Sequence, residues 1–208
     1  MSSSAASGPP LPDPAELVRR KAELRAELLA RRQAIPAEAA LRAAHAVAER
    51  LLWELAPPAG ATVAGYWPLP AEVDPRPALQ SLAATGHPLA LPRMAGPAAP
   101  LAFHAWTWGE PLIRGGFAVM QPDPARPKVL PEVVLVPLLA FDGRCHRLGY
   151  GKGYYDRTLR SLRTAGGARL AIGLAFALQE LPEVPAHDFD EPLDAVVTER
   201  GIRRRSPP

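Results

Sequence analysis

One segment, residues 141–156, constrains this chain most, because it joins an apolar run to a helical pattern through alternating glycines. It reads Phe-Asp-Gly-Arg-Cys-His-Arg-Leu-Gly-Tyr-Gly-Lys-Gly-Tyr-Tyr-Asp, after the apolar run 133–139. Glycines let a backbone approach a ligand, and amides at a helix N-terminus attract anions. Arg147 and Lys152 add full charges, and Asp156 falls in the first helical turn, where a carboxylate can hold a metal. The segment therefore predicts a phosphate site.

The glycine spacing alone is a weak signal, because similar runs occur in ordinary loops. The segment also differs from a P-loop, since Gly153 follows Lys152 where a P-loop has a metal-binding hydroxyl. The structural alternative is a flexible turn whose Tyr154 and Tyr155 simply pack on a sheet. The function has to be argued from the rest of the chain as well.

Length and composition favour one globular domain. The chain has 208 residues, 48% of them hydrophobic, which is enough for a sizeable core. We expect a disordered tail over 1–13, a single domain over 14–202 and a basic tail over 203–208. The longest apolar run is too short to span a bilayer, and residues 1–14 lack the pattern of a signal peptide. We therefore expect a cytoplasmic protein with no membrane partner.

Charge and cysteine content narrow the function classes. The net charge of +3 suits anionic small molecules, and the basic residues are dispersed with few aromatics, so we expect no nucleic-acid partner. A basic nucleic-acid-binding module remains the non-enzymatic alternative. The single cysteine, Cys145, excludes an internal disulfide framework. We expect a monomer that binds a small-molecule substrate.

The order of patterns predicts an α/β fold. Helical spacing marks a segment that begins near Asp13 and a second over 37–55, and short apolar runs then alternate with helical stretches and turns. This alternation favours a three-layer α/β/α sandwich with a mostly parallel central sheet. The predicted strands are 62–67, 89–91, 133–139, 169–174 and 195–198, with 101–106 as an additional edge strand.

The first helix carries a cation on its apolar stripe. Leu17, Leu24 and Leu28 define the stripe, and Lys21 falls on it, with Arg25 one turn later. A lysine in that position either extends to solvent or points at an anion. The neighbouring arginines favour a solvated basic helix, so the spacing alone leaves that interpretation ahead.

Four segments of this chain resemble the 5-formyltetrahydrofolate cyclo-ligase family, also called methenyltetrahydrofolate synthetases. They are the apolar run and glycine segment over 133–156, the helix opening with Lys21 and Arg25, residues 63–74, and residues 91–93. They occur in the family's order. The resemblance implies a fold similar to that of sugar-phosphate isomerases and coenzyme A transferases. One departure is Cys145, which stands where the family usually has glycine before Arg147.

The resemblance implies a role for each candidate residue, with Lys152 and Arg147 as the catalytic cations. It implies that ATP contacts Lys21, Arg25, Arg147, Leu148, Gly149, Tyr150, Gly151, Lys152, Gly153, Tyr154 and Tyr155. The folate would face Glu72, Tyr66, Trp67, Tyr150, Gly151, Lys152, Gly153 and Tyr154. A carboxylate such as Glu72 can accept paired hydrogen bonds from the 2-amino and N3–H edge of a pterin, although an exposed loop acid is the structural alternative. Tyr66 and Trp67 either stack on the pterin or fill the core.

The resemblance also implies Mg²⁺ bound at Asp156 and at a second acid. We assign the second acid to Asp194, with Asp190 as the alternative, and for either residue a surface acid or strand cap fits the sequence equally well.

The activity implied is an ATP- and Mg²⁺-dependent cyclisation of 5-formyltetrahydrofolate to 5,10-methenyltetrahydrofolate, with release of ADP and phosphate. We expect a phosphorylated formyl (imidate) intermediate, because an amide-like formyl oxygen is a poor leaving group. The competing enzymatic interpretation is a related α/β protein acting on a sugar phosphate or a coenzyme A ester.

Overall fold

The computed structural model describes residues 14–116, 119–187 and 189–206. Within them the helices are α1 (Pro14–Gln33), α2 (Ala37–Glu54), α3 (Arg76–Ala84) and α4 (Tyr154–Thr164). The strands are β1 (Val63–Ala64), β2 (Leu89–Met94), β3 (Leu101–Trp106), β4 (Ile113–Arg114), β5 (Met120–Gln121), β6 (Val133–Pro137), β7 (Ala140–Phe141), β8 (Arg147–Leu148), β9 (Leu170–Leu174), β10 (Ala195–Thr198) and β11 (Gly201–Arg204). A short 3-10 helix, Ala177–Gln179, follows β9.

Seven strands form one sheet in the order β11-β10-β9-β6-β1-β2-β3. The five inner strands are parallel, and β3 and β11 pair antiparallel at the two edges. From β1 the chain passes to β2 on one side and later to β6 on the other. The strand order therefore reverses between β1 and β6, and open α/β sheets bind ligands beyond the carboxyl ends of their strands at such a reversal.

Helices cover both faces of this sheet. Successive residues of a strand point to opposite faces, so Val133 and Leu135 pack with α2 and α3, whereas Val134 and Val136 pack with α4. Both faces of β6 are thus buried, which explains its continuous apolar sequence. The predicted three-layer α/β/α sandwich with a mostly parallel sheet is confirmed.

Helix α1 packs against the β7–β8 hairpin, which follows the carboxyl end of β6. Leu24 and Leu28 of α1 lie in a small core with Ala140, Leu148 and Val184. The predicted apolar stripe is confirmed, since Leu17, Leu24 and Leu28 are all buried. This position brings the polar residues of α1 to the end of the sheet where a ligand crevice is expected.

Two strands are shorter than predicted because prolines intervene. The Gly65 amide still bonds Ala90 O at 3.0 Å, but the chain then leaves the sheet toward Pro68 and Pro70, which have no N–H to donate. Strand β6 similarly ends at Pro137. The predicted edge strand over 101–106 is confirmed as β3, whereas the β4–β5 and β7–β8 hairpins were not predicted.

The tails predicted at the two ends of the domain can now be compared with the structure. The tail expected over 1–13 lies outside the described residues. Arg203 and Arg204, which we placed in a basic tail, instead belong to β11, because their backbone pairs with β10. The Arg203 side chain also bonds Glu180 at 2.7 Å. Among the described residues, no helix is long and apolar enough to cross a membrane.

Gly173 in β9 is a tightly enclosed glycine of this sheet. A Cβ there would lie 2.6 Å from Leu138 Cδ2 and 2.7 Å from Leu193 Cδ1. We expect Gly173→Ala to destabilise the protein by about 1–3 kcal/mol through overpacking, as measured by urea unfolding. Gly201→Ala is the matched control, because no atom lies within 4 Å of its added Cβ. Equal unfolding midpoints for the two variants would contradict the packing described for β9.

Candidate functional site

A pocket of about 610 Å³ lies at the reversal point of the sheet. Its walls come from the segment after β1, from the segment between β8 and α4, from one side of α1, and from His187 and Asp190. Among the described residues that line it are four cations and three carboxylates, namely Lys21, Arg25, Arg147 and Lys152 with Glu72, Asp156 and Asp190. The pocket therefore carries a small excess of positive charge.

The glycine segment forms a tight loop that leads directly into α4. Gly151 and Gly153 have φ values of 86° and 64°, a left-handed conformation that glycine adopts without steric cost. Gly153 is the N-terminal cap of α4, and Asp156 falls in its first turn, as predicted. A side chain at position 151 would also come within 3.1 Å of the Arg25 guanidinium. The loop thus lies in the pocket wall beside a cation.

A buried carboxylate shapes the turn before this loop. Asp142 is 1% exposed; its Oδ1 accepts the amides of Arg144 and His146, and its Oδ2 accepts that of Val184 at 3.1 Å. Cys145 within the turn has a φ of 62°, which is unfavourable for a residue with a Cβ. Cysteine therefore occupies a position that suits glycine, consistent with the departure noted in the sequence, and the turn still forms.

Arg147 and Asp156 form a largely buried ion pair. Arg147 Nη2 lies 2.6 Å from Asp156 Oδ1, and its Nη1 donates to the Glu191 carbonyl. Burial lowers the pKa of Arg147, and the charge of Asp156 opposes this, so the guanidinium stays ionised. Asp156 Oδ1 also accepts the Glu191 amide at 3.2 Å. Both side chains line the pocket, paired with each other rather than free.

A second ion pair joins α1 to the segment before β10. Lys21 Nζ lies 2.6 Å from Asp190 Oδ2, and only 11% of the lysine side chain is exposed. Burial would raise the pKa of Asp190, but the bonds from Lys21 and the His187 amide outweigh it and hold that pKa low. Lys21 is therefore not the solvated helix residue that its neighbours suggested. It lies in the pocket beside Asp190.

Asp194, our first choice for the second metal-linked acid, lies elsewhere. Its Oδ2 accepts the Ala171 amide at 2.7 Å and the Arg163 guanidinium at 3.3 Å, and it is not among the pocket residues. These bonds connect β9, β10 and α4, which is a structural role. Asp190, the alternative, is the acid that the pocket contains.

Lys152 is exposed at the mouth of the pocket. Its carbonyl accepts Arg157 Nη2 at 2.9 Å, which fixes the backbone while the ammonium extends from the loop. An exposed lysine can move toward a bound anion without breaking an internal bond. Of the other loop residues assigned to ATP, Leu148, Gly149, Tyr150, Tyr154 and Tyr155 all line the pocket.

Glu72 also lines the pocket and is only 9% exposed. Its Oε2 accepts the Leu69 amide at 2.8 Å, within a short turn that places the carboxylate in the pocket. Burial raises the pKa of Glu72, whereas the Leu69 amide, the Tyr150 hydroxyl and the charge of Arg32 oppose that rise. Glu72 is therefore a buried acid in the pocket wall and not the exposed loop acid of the alternative.

The two aromatic residues predicted beside Glu72 also line the pocket. Tyr66 is buried and its hydroxyl donates to Val73 O at 2.7 Å, so its ring serves the core as well as the pocket wall. Trp67 packs edge-on to Trp106 and beneath the Arg76 guanidinium. Both aromatic residues therefore line the pocket and also pack in the core.

Our reading of the sequence missed Arg32, which we counted among the solvated arginines of α1. It is 1% exposed; its guanidinium donates to the Tyr150 hydroxyl and to Leu138 O, the latter at 3.2 Å. Positions 17, 21, 24, 28 and 32 lie on one helical stripe, so extending the apolar stripe by one turn would have identified it.

The residues present can accommodate a magnesium ion together with phosphates. Mg²⁺ usually takes one or two carboxylates and completes its shell with water and phosphate oxygens. Asp156 and Asp190 both line the pocket, and the Glu191 amide beside Asp190 bonds Asp156. In the described part of the chain no cluster of three or more acidic, histidine or cysteine ligands occurs. The donor set suits a metal that arrives with phosphate, not one held by the protein alone.

Known proteins are similar to this chain in sequence and in fold. A family model described as the 5-formyltetrahydrofolate cyclo-ligase family matches residues 18–199. A 5-formyltetrahydrofolate cyclo-ligase of Mycolicibacterium smegmatis is 33% identical over 88% of this chain and 96% of its own length. One from Haemophilus influenzae is 33% identical over 40% of this chain, and that match spans 46% of the relative.

A solved structure agrees with these sequence matches. The NMR structure of Aquifex aeolicus 5,10-methenyltetrahydrofolate synthetase superposes with a TM-score of 0.76 and 29% identity, over 90% of this chain and 94% of that one. With the fold, the pocket and the matched segments in agreement, this chain belongs to the 5-formyltetrahydrofolate cyclo-ligase family.

Proposed function

We propose that this chain converts 5-formyltetrahydrofolate to 5,10-methenyltetrahydrofolate, with ATP as co-substrate and Mg²⁺ as cofactor, and releases ADP and phosphate. The observation that carries the proposal is one pocket lined both by a cationic glycine loop and by the buried carboxylate of Glu72. Such a pocket suits a ligand pair in which one partner brings phosphates and the other brings hydrogen-bond donors. Family membership supports the same reaction.

The triphosphate would lie along the loop that precedes α4. Amides at the start of a helix, with glycines that allow close approach, favour anions there. Lys21, Arg25, Arg147 and Lys152 surround this position and can neutralise the charge on the phosphates. We assign phosphate contacts to these four side chains and to the loop from Leu148 to Tyr155.

Mg²⁺ would be held by Asp156 and by Asp190, which we now prefer to Asp194. When bound, the ion supplies charge neutralisation and orientation of the phosphates. Asp156 pairs with Arg147, and Asp190 pairs with Lys21. The two carboxylates would hold the metal, and the two cations would lie beside the phosphates that it accompanies.

The folate would bind with its pterin against Glu72. An ionised carboxylate accepts two parallel hydrogen bonds from adjacent N–H groups, which matches the 2-amino and N3–H edge of the pterin. Tyr66 and Trp67 provide apolar wall beside this acceptor, and Tyr150 and Tyr154 approach from the loop.

The chemistry needs activation of an amide-like carbonyl rather than a protein nucleophile. We infer that the formyl oxygen attacks the γ-phosphate of ATP and displaces ADP, which yields a phosphorylated imidate. N10 then adds to the activated carbon, loses its proton, and phosphate leaves with the former formyl oxygen. The protein residues hold the reactants together and stabilise the charge of phosphoryl transfer, which are the main contributions enzymes make to such reactions.

The competing interpretation is an enzyme of the same broad fold that acts on a sugar phosphate or a coenzyme A ester. It predicts no consumption of ATP linked to folate, so the assay below separates the two. A cytoplasmic monomer without nucleic-acid or membrane partners stays a prediction.

Lys152→Ala tests the phosphate loop directly. We expect the absorbance of methenyltetrahydrofolate to rise when the purified protein receives 5-formyltetrahydrofolate, Mg²⁺ and ATP, and not when ATP is omitted. The variant should lower kcat/KM for ATP by about 10²-fold, because it removes a cation that stabilises the transferring phosphoryl group. Lys128→Ala, an exposed lysine outside the pocket, should match the wild type. A folded wild type that gives no ATP-dependent rise would exclude the proposed reaction.

Asp190→Asn and Asp194→Asn separate the two candidates for the second metal-linked acid. We expect Asp190→Asn to raise the Mg²⁺ concentration needed for half-maximal rate, by about 10-fold on the scale of one lost charge-assisted contact. Asp194→Asn should leave that concentration unchanged and lower the stability by about 1–3 kcal/mol, because Asp194 bonds the Ala171 amide. Titrations of rate against Mg²⁺ and urea unfolding measure the two effects. If Asp194→Asn raised the Mg²⁺ requirement and Asp190→Asn left it unchanged, Asp194 would be the second metal-linked acid.

A further inference from the structure

We propose that Arg32 is a positioning residue that orients the Tyr150 hydroxyl toward Glu72 and thereby keeps Glu72 ready to bind the folate. This inference rests on the proposed function, because it assigns a support to the carboxylate that the substrate would contact. Arg32 itself does not line the pocket, whereas Tyr150 and Glu72 both do. It therefore acts on the ligand through another side chain.

The burial of Arg32 is unusual for a residue on the first helix of the chain. Its side chain is among the largest that the described part of the protein buries fully, with 1% exposed. Its Nε has no hydrogen-bond partner among the described residues, so one donor of a buried charge is unmatched. Taking an ion out of water is costly, and a well-packed apolar side chain is often as stable or more stable in the same place. Stability alone therefore gives no reason for an arginine here.

The remaining bonds of Arg32 separate a structural role from a functional one. Nη1 donates to Leu138 O, but the Gln179 amide donates to that same carbonyl at 2.8 Å. Leu138 O would thus stay paired without Arg32. Nη2 donates to the Tyr150 hydroxyl, and the guanidinium also lies 5.6 Å from the centre of that ring. Tyr150 is therefore the partner that depends on the arginine.

The direction of donation follows from the chemistry of the two groups. A guanidinium has donors only, so the Tyr150 oxygen must accept from Arg32. The hydroxyl proton of Tyr150 is then free to point away from the arginine, and we infer that it points to the Glu72 carboxylate, whose charge acts on Tyr150. The Leu69 amide already donates to Glu72, and a bond from Tyr150 would hold the carboxylate at a second point in the pocket wall.

The same arrangement opposes the protonation of Glu72. Burial raises its pKa, and the bonds from Leu69 and Tyr150 and the charge of Arg32 act against that rise. Other titratable groups face this region from neighbouring elements: Tyr66 after β1, Tyr155 at the start of α4, and Lys21, Arg147 and Asp156 elsewhere in the pocket. Removal of Arg32 takes away a positive charge that opposes this rise, so the pKa of Glu72 should be higher in the variant. As the pH is lowered, the Glu72 carboxylate should then become protonated at a higher pH than in the wild type.

Arg32→Met tests this role against a merely structural one. We expect the variant to unfold cooperatively with a midpoint no lower than that of Arg31→Met, an exposed neighbour whose guanidinium pairs with Glu27. Its KM for 5-formyltetrahydrofolate should rise about 10-fold, the usual scale for loss of a bond to a charged group, while its KM for ATP changes less than about twofold. The acid limb of kcat/KM for the folate should also move to higher pH. Arg31→Met should retain wild-type kinetics.

Two further variants make the outcome decisive. Arg32→Lys keeps the charge and should return the acid limb toward that of the wild type. The double variant Arg32→Met/Tyr150→Phe should have the same KM for the folate as Tyr150→Phe alone. Both substitutions interrupt the same chain of contacts from Arg32 through Tyr150 to Glu72, so their effects should not add. An active wild type with an unchanged folate KM in Arg32→Met, or equal rises in both KM values, would overturn the role of Arg32 alone. A wild type without ATP-dependent product would instead overturn the proposed function, and this inference with it.

Discussion

Cations on helix α1 bond to two other segments of the pocket wall, the glycine loop and the segment before β10. The candidate site depends on these contacts. Arg25 Nε donates to Gly149 O at 2.8 Å, Lys21 pairs with Asp190, and Arg32 donates to the Tyr150 hydroxyl. Helix α1 is held in place by its leucines, which pack against the β7–β8 hairpin. The helix is thus fixed by apolar contacts on one stripe, and its cations arrange loops that are distant in sequence.

Cations and carboxylates of the pocket pair with each other. Arg147 with Asp156 and Lys21 with Asp190 satisfy four groups that would otherwise lie unpaired and largely buried, which is costly. Ion pairs of this kind fix the positions of the side chains that line the pocket, and a site whose side chains are already fixed loses less conformational freedom when a ligand binds.

The sequence predicted those features that follow from local patterns. The apolar run that forms β6, the glycine loop with Asp156 in the first turn of α4, and the apolar stripe of α1 all appear as expected. Burial of Lys21 was indicated by its place on the stripe, and the same stripe extended to Arg32 would have indicated that residue too. These results depend on spacing along a single element.

The features that were missed depend on contacts between distant segments. No local pattern distinguishes Asp190 from Asp194; one meets Lys21 across 169 residues and the other bonds a strand amide. The end of β1 depends on where its neighbouring strands stop pairing with it. Arg203 and Arg204 are strand residues because their backbone pairs with the edge of β10. Tertiary contacts of this kind decide roles that residue type and spacing leave open.

The most direct test of the account is a crystal structure of the protein with 5-formyltetrahydrofolate and a non-hydrolysable MgATP analogue. The account predicts the triphosphate on the amides between Gly149 and Tyr154, the metal between Asp156 and Asp190, and the pterin edge on Glu72. A triphosphate bound away from that loop, or a folate whose pterin makes no contact with Glu72, would contradict it.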